Sequence, residues 1–334
     1  MRIAVDAMGS DGAPDVEVEG AVLASRDGDK EVILVGDQAV LEEKLAAFPK
    51  HGNITIVHAS EAIGMHEKPV LAVRKKKDAS LLVALRLVKK GEADAAVSAG
   101  NTGAVMVASR TILGSIRGVS RSAISQALPT LTGRVVLLDL GANVDCTAKH
   151  LCHFAKMGAA YSKYALGVDN PRVGLLNIGE EMVKGGQVAR EAYQMLSTSP
   201  NINFVGNIEP RALYQGAADV AVCDGFVGNV AVKTMEGMAQ AFGPFLKTEI
   251  DKSLLAKAGV LLAMGAIRNL RKRLDYAEYG GAPLLGVRGG VMICHGSSDQ
   301  RAIKNAIRAA GTMARFGLDE EIARSISVHA PAPA

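Results

Sequence analysis

A chain of 334 residues that is 49% hydrophobic and 22% charged, with no tryptophan, has the composition of a folded globular protein and is long enough for one large domain or two. Its net charge of +4 is too small for a dedicated nucleic-acid binder, and its basic residues are not interleaved with aromatic residues that stack on bases; small anionic substrates or an acidic partner suit it better. The opening MRIAVDAMG reads directly as strand and turn, without the apolar core and cleavage site of a signal peptide. A cytoplasmic chain follows, with Cys146, Cys152, Cys223 and Cys294 expected to stay reduced.

Short apolar runs recur along the chain: RIAVD from 2, EVILVG from 31, NITIVH from 53, DAAVS from 94, RVVLLDLG from 134, RVGLLNIG from 172, INFVGN from 202, DVAVCDG from 219 and VMICHG from 291. Helix-like segments separate most of them. That alternation predicts an α/β protein, a three-layer α/β/α sandwich around a mostly parallel sheet. The basic cluster Arg74, Lys75, Lys76 and Lys77 follows a short helical segment, with Asp78 placed to cap the next helix. It is either a solvated face or a place to dock an acidic carrier. From 229 and from 253 run two long helical patterns with few strand signals between 230 and 283. They predict a helical hairpin over 230–280, inserted in a single catalytic domain spanning 1–334. Residues 258–267 carry no charge and lead into Arg268, Arg271, Lys272 and Arg273. Ten residues cannot cross a bilayer, which needs about twenty. Leu261 and Leu262 beside Arg271 and Arg273 suit either shallow membrane attachment or a subunit interface. The terminal APAPA is expected to fray.

The polar signatures mostly sit where an apolar strand ends and a helix begins: DAMGSDGAPD from 6, SAGNTGA from 98, DLGANVDC from 139, NIGEEMVKGG from 177 and DGFVGN from 224. In an open α/β sheet the carboxyl ends of strands face the ligand crevice, and the following helix N-termini offer free N–H groups to anions. One such loop is explained by ordinary turn chemistry; five of them point to one site. There is no GxxxxGK[ST] loop, no dinucleotide fingerprint after a strand and no GxSxG elbow, so a small anion is a better ligand than a nucleotide. Lys184, between Val183 and the glycine pair Gly185 and Gly186, is either a cation for phosphate or a developing oxyanion, or a solvated loop charge. His295 in ICHGSSD is either a proton donor or a structural histidine. Cys146, His150 and His153 have the spacing of metal ligands on a helix face, but without a fourth ligand nearby the plain structural reading is favoured.

Taken together, VDAMGSDGAP, MHEKP, VSAGNTGA, LDLGANVDC, PRVGLLNIGEE, VCDGFVGNV, YGGAPLLGV and HGSSD, in that order over nearly the whole chain, resemble the PlsX family of acyl-[acyl carrier protein]:phosphate acyltransferases. Two positions depart from the pattern: Ser10 stands where the family often has Gly, and Pro210-Arg211-Ala212 where a Gly and an acidic residue are common. The resemblance implies transfer of a long acyl chain from the thioester of acyl carrier protein to inorganic phosphate. It also implies a homodimer with a fold related to phosphotransacetylases and isocitrate dehydrogenases. Peripheral attachment to the inner face of the membrane is implied too, with a glycerol-3-phosphate acyltransferase as a downstream partner.

Inorganic phosphate is already an anionic nucleophile near neutral pH, so the site must chiefly position it and stabilise a tetrahedral oxyanion. Lys184, Asn229 and His295 are the expected catalytic residues. Asp6, Gly9, Gly100, Asn101, Thr102, Gly103, Asp139, Asn143, Asp145, Asn177, Glu180, Asp224 and Gly228 are the expected substrate-binding residues, with Thr102 alternatively a helix cap. Lys75, Lys76 and Lys77 are expected to meet the carrier. Direct transfer needs no metal and no redox cofactor. A covalent route through Cys146, at a helix start where a thiolate is stabilised, is the mechanistic alternative. A phosphotransacetylase using acyl-CoA and a non-catalytic, membrane-bound carrier-binding scaffold are the functional ones; a dehydrogenase is disfavoured by the missing nucleotide fingerprint.

Overall fold

The computed structural model describes residues 1–274, 278 and 280–327, and for residues 254 and 270–274 the backbone alone. Eleven strands among the described residues form one sheet. Nine are the apolar runs: β1 (Arg2–Asp6), β2 (Glu31–Gly36), β3 (Ile54–His58), β4 (Ala95–Ser98), β6 (Arg134–Leu138), β7 (Arg172–Leu176), β8 (Asn203–Ile208), β9 (Val220–Val222) and β11 (Gly290–Ile293). The other two, β5 (Ala123–Pro129) and β10 (Ala282–Leu285), carry no such signal, because one holds Ser125, Gln126 and Pro129 and the other is four residues long and follows two glycines.

The sheet order is β3-β2-β1-β4-β11-β10-β5-β6-β9-β7-β8. The first five strands are mutually parallel, as are the last four. The pairs β11–β10, β10–β5 and β5–β6 are antiparallel. Three reversals in succession make the two parallel halves run in opposite directions.

Helices cover both faces. On one lie α1 (Asp15–Ser25), α2 (Gln38–Ala46), α6 (Ala148–Leu166), α7 (Gln187–Ser197), α11 (Gln300–Arg315) and α12 (Leu318–Ser327), around a core that includes Ile3, Leu34, Phe154, Met157 and Ile303. On the other lie α3 (Pro69–Lys75), α4 (Ser80–Lys90) and α5 (Thr102–Ile112), and, over the second half of the sheet, α8 (Pro210–Gln215) and the start of α9 (Gly225–Asp251). Burial on both faces is why the strands read as continuous apolar runs rather than as alternations. The longest helix on the first face, α6, is delimited locally. At its start the Thr147 and His150 side chains exchange bonds with each other's backbone N–H, and at its end Gly167 adopts φ 77°, a left-handed conformation suited to glycine.

From α9 the chain turns into α10 (Leu254–Leu274), which packs back along α9. Beyond Val232 no described side chain of either helix is buried, and Met238, Phe242, Phe245, Leu255, Leu261 and Leu262 are exposed. Among the described residues no helix is long and apolar enough to cross a membrane.

Candidate active site

Opposed half-sheets would ordinarily put their carboxyl edges on opposite sides of the molecule. The register prevents this. Counting along the paired residues from Ser98 and Ile293 through Ala282, Leu284, Ile124 and Ser125 places Leu138 and Val222 only about one residue step, roughly 3.3 Å, from the level of Ser98. The second half-sheet is displaced along the strand axis, so the loops leaving β1, β4 and β11 and those leaving β6, β9 and β7 come to one band across the β10–β5 junction. Leu140, in the loop after β6, packs into the cores beneath both α5 and α9.

On the first edge, Asp6 is buried and organises the loops. Its Oδ1 accepts from the Ser80 hydroxyl at 2.6 Å and its Oδ2 from the Ser98 hydroxyl at 2.7 Å, while the Ser98 hydroxyl accepts from the Gly100 N–H at 3.1 Å. Burial pushes the Asp6 carboxyl above its ordinary pKa, against the lowering effect of the two serines and the Met8 N–H. A Cβ at Gly9 would stand 2.7 Å from Asp6 Oδ2 and 3.0 Å from Gly100 Cα, so the loops after β1 and β4 meet too closely for a side chain. Asn101 caps α5, its Oδ1 accepting from the Ala104 N–H at 3.1 Å, and its amide donates to the Met65 carbonyl at 2.8 Å and to the Glu67 carbonyl at 3.1 Å. The cap of α5 is therefore Asn101. Thr102, weighed as a cap, is instead an exposed residue of the first helical turn, and Gly103 lies against Pro69.

On the second edge Asp139 has the same part. It is fully buried and accepts five bonds: Oδ1 from the N–H groups of Ile124 (3.0 Å), Leu140 (2.7 Å) and Ala142 (3.3 Å), and Oδ2 from the Asn143 N–H (2.7 Å) and amide (2.8 Å). Burial raises its pKa while these donors oppose the rise. Asn143 also donates to the Ser122 carbonyl at 2.8 Å, and its own carbonyl accepts from the Gly225 N–H at 2.8 Å, tying the loop to the first residue of α9. Asp224 caps α9 by accepting from the Val227 N–H at 2.8 Å. A Cβ at Gly228 would overlap the Asp139 carbonyl oxygen, so this glycine allows α9 to start against the end of β6. Asn229 is exposed, beside Gly141, and its amide has no hydrogen-bond partner among the described residues. Asp145 is exposed and likewise unbonded.

The loop after β7 is a third group. Asn177 donates to the Lys184 carbonyl at 3.1 Å and accepts from the Ile178 N–H at 2.8 Å, and Asn207 donates to the Glu181 carbonyl at 2.8 Å. The Lys184 stem folds over Gly179, and Lys184 and Glu180 are exposed. His295, at the end of β11, is exposed, with Nδ1 2.7 Å from the Ser297 hydroxyl.

Several expectations change. Asp78 does not cap α4; it accepts from the Ser60 N–H at 2.8 Å and hydroxyl at 2.7 Å. Lys76 pairs with Glu67 at 2.6 Å and donates to the Ala62 carbonyl, leaving Lys75 and Lys77 as the exposed lysines of that run. Pro210 opens the short α8, and Arg211 pairs with Glu209 at 2.7 Å. Cys146 lies before the cap Thr147, where burial first, then Asp139 and Asp224, push its thiol up to about 11. That is the reverse of the stabilised thiolate a covalent route needs. Leu261 and Leu262 are exposed on α10; the side chains of Arg271 and Arg273 lie outside the described residues. Ser80, Ser98 and Ser122 were not foreseen, since a serine in an apolar run or a loop gives no signal of its partner. Nor was Glu17, fully buried in α1, whose oxygens have no hydrogen-bond partner within normal distance among the described residues and whose pKa is raised to about 7, chiefly by burial.

The family model described as "Fatty acid synthesis protein" matches residues 1–320. The chain is 50% identical over 335 residues to a phosphate acyltransferase of Citrifermentans bemidjiense, covering 100% of this chain and 95% of that protein. It is 52% identical over 318 residues to a phosphate acyltransferase of Moorella thermoacetica, covering 95% and 94%. Among solved structures, the EutD phosphotransacetylase from Staphylococcus aureus superposes with a TM-score of 0.63 at 15% identity, over 94% of each chain. A phosphotransacetylase from Streptococcus pyogenes gives 0.62 at 22%, again over 94% of each. The two structural likenesses bear on the fold alone, an α/β sandwich of the phosphotransacetylase kind. The full-length identity, with the family motifs seated at two converging strand edges, settles the membership: the chain belongs to the PlsX family and is a phosphate acyltransferase.

Proposed function

We propose that the acyl donor is a long-chain thioester of acyl carrier protein, and that inorganic phosphate attacks it directly in the crevice between the two carboxyl edges of the sheet. The observation that carries direct attack is the unbonded Asn229 amide, on the second turn of α9 and beside a loop fixed by the five-bonded Asp139, while the donor follows from the family resemblance. A donor held by a rigid frame and left without a protein acceptor is suited to charge that appears only during reaction.

A phosphate oxygen adds to the thioester carbonyl carbon, and the carbonyl electron pair moves to oxygen. Asn229, Lys184 and the N-termini of α5 and α9 stabilise that oxyanion and the phosphate charge. Collapse expels the thiolate, which takes up a proton from His295 or water, and leaves acyl phosphate. Asp6 and Asp139, saturated with donors, hold the loops and take no part in bond making. The remaining expected residues, from Gly100 and Asn143 to Asn177 and Asp224, shape the walls.

Mass-spectrometric detection of acyl phosphate from protein, acyl carrier protein thioester and phosphate tests the proposal. An equal or better rate with short-chain acyl-CoA would assign it to the phosphotransacetylase alternative, and no product from folded protein would favour a carrier-binding scaffold. The exposed apolar hairpin of α9 and α10 supports two further parts of the proposal, a homodimer and peripheral membrane contact on the cytoplasmic side. Vesicle flotation should weaken in the Leu261→Glu, Leu262→Glu double variant; unchanged flotation removes lipid contact from the proposal.

A further inference from the structure

The segment leading into α3 forms a lip over the first carboxyl edge. The Asn101 amide holds the Met65 and Glu67 carbonyls, Gly103 lies against Pro69, and a Cβ at Gly296 would stand 2.5 Å from Met65 Cε. Residues 65–69 therefore sit on the loops after β4 and β11. Within α3, Ala72 and Val73 are buried in the core shared with α4 and α5. At about 3.6 residues per turn, the face opposite them carries Val70, Leu71, Arg74 and Lys75. All four are exposed, Val70 by 53% and Leu71 by 48%. The aliphatic pair stands next to the lip and the cationic pair one turn further on, with Lys68 and Lys77 exposed at the two ends. Charge on this surface is one-sided. Residues 60–78 hold three carboxylates, and each is engaged: Glu61 accepts from the Asp78 N–H at 3.0 Å, Glu67 from Lys76 at 2.6 Å and the Gly64 N–H at 2.7 Å, and Asp78 from the Ser60 N–H and hydroxyl. Lys68, Arg74, Lys75 and Lys77 have no ion-pair partner among the described residues.

Four unpaired cations around two exposed aliphatic side chains match an acidic, amphipathic helix, whose carboxylates meet the cations and whose apolar side chains meet Val70 and Leu71. Lipid is the poorer fit, because the α9–α10 hairpin exposes a larger apolar surface that includes Phe242, Phe245, Leu261 and Leu262. Nucleic acid is poorer still, since residues 60–78 hold no Phe, Tyr or Trp on which a base could stack. We propose that the exposed face of α3 is the docking surface for an acidic carrier protein, seated so that its prosthetic arm enters the crevice past residues 65–69. The identity of the carrier rests on the acyltransferase reading above; the charge and shape of the surface do not.

The test is binding of fluorescently labelled acyl carrier protein, bearing its arm but no acyl chain, to the full chain by anisotropy and stopped flow. The double variant Arg74→Glu, Lys75→Glu should weaken Kd by about tenfold or more, through slower association and with a flatter dependence on salt. The double variant Val70→Ser, Leu71→Ser should weaken it by about as much through faster dissociation. An equal charge change at the other end of α4, Lys89→Glu with Lys90→Glu, should leave Kd within about twofold of the parent. Circular dichroism and urea midpoints establish that each variant is folded. No binding by the parent, an unchanged Kd in both folded α3 variants, or an equal loss in the α4 control overturns the surface. If the α3 variants keep carrier affinity but dissociate into monomers in sedimentation, the face belongs to a second copy of this chain; if they keep it but lose flotation with anionic vesicles, the face belongs to lipid. Either result also overturns the proposal. Binding is read without turnover, so a parent that binds the carrier through α3 yet forms no acyl phosphate fails the acyltransferase reading alone, and one that forms acyl phosphate with unaltered carrier binding in the variants fails this surface alone.

Discussion

Replacing Asp139 by Asn keeps the shape of the side chain and converts one acceptor into a donor. The less damaging orientation leaves the carbonyl oxygen on the three N–H groups of Ile124, Leu140 and Ala142 and turns the new amide toward Asn143. Two bonds, at 2.7 and 2.8 Å, are then lost, and flipping the Asn143 amide to recover one would break its bond to the Ser122 carbonyl. Bonds to a charged acceptor contribute about 1.5–3 kcal/mol each, for a gross loss of ~3–6 kcal/mol. Removing a buried charge offsets part of that, as the raised pKa of Asp139 indicates, leaving about 2–4 kcal/mol out of a typical total of 5–15. Urea unfolding should show a lower midpoint at unchanged slope. Because the Asn143 carbonyl holds the first residue of α9, the displacement should reach Asn229, and kcat for acyl phosphate formation should fall more than KM rises. Stability within about 0.5 kcal/mol of the parent, together with an unchanged kcat, would refute the role given to this carboxylate.

Asn229→Ala should lower kcat by roughly 10²–10³, the usual effect of removing one oxyanion donor, with little change in stability because the side chain is exposed; a KM effect alone would place Asn229 in binding only. Cys146→Ser should keep most of the activity, since a thiol pushed up to about 11 is protonated near neutrality, and abolition of transfer in a folded, substrate-binding variant would restore the covalent route. Glu17 gives a pH signature. Its folded pKa of about 7 lies above the ordinary 4.5 of a glutamate, so the native state holds a proton that the unfolded chain has released, and stability should fall as pH rises between those values and level off above about 7. The whole effect is on the order of 3 kcal/mol, and comparison with Glu17→Gln by urea midpoints from pH 5 to 8 should isolate it; parallel pH profiles would mean Glu17 does not titrate in that range.

Particular residues show what the sequence carries. The nine apolar runs are legible because each strand is buried on both faces, so burial is recorded as continuous hydrophobicity that needs no knowledge of the neighbours. The polar loops after β1, β4, β6, β7 and β9 are legible because turns and helix caps use a small set of residues close in sequence, such as Asn101 with Ala104 and Asp224 with Val227. Family motifs in order over the whole chain identified the phosphate acyltransferase.

Tertiary structure decided what depends on residues far apart. β10 has only four residues and β5 is broken up by Ser125, Gln126 and Pro129, and their antiparallel pairing is held by partners as distant as Ser125 and Pro283, so local periodicity does not announce them. Yet those two strands reverse the sheet and set the stagger that brings both carboxyl edges together. Asp6 reaches Ser80 and Ser98, and Lys76 is neutralised by Glu67, through folding alone. A sequence states which groups can bear charge or donate a bond; which of them find a partner, and which remain open to a substrate, is fixed only when distant segments meet.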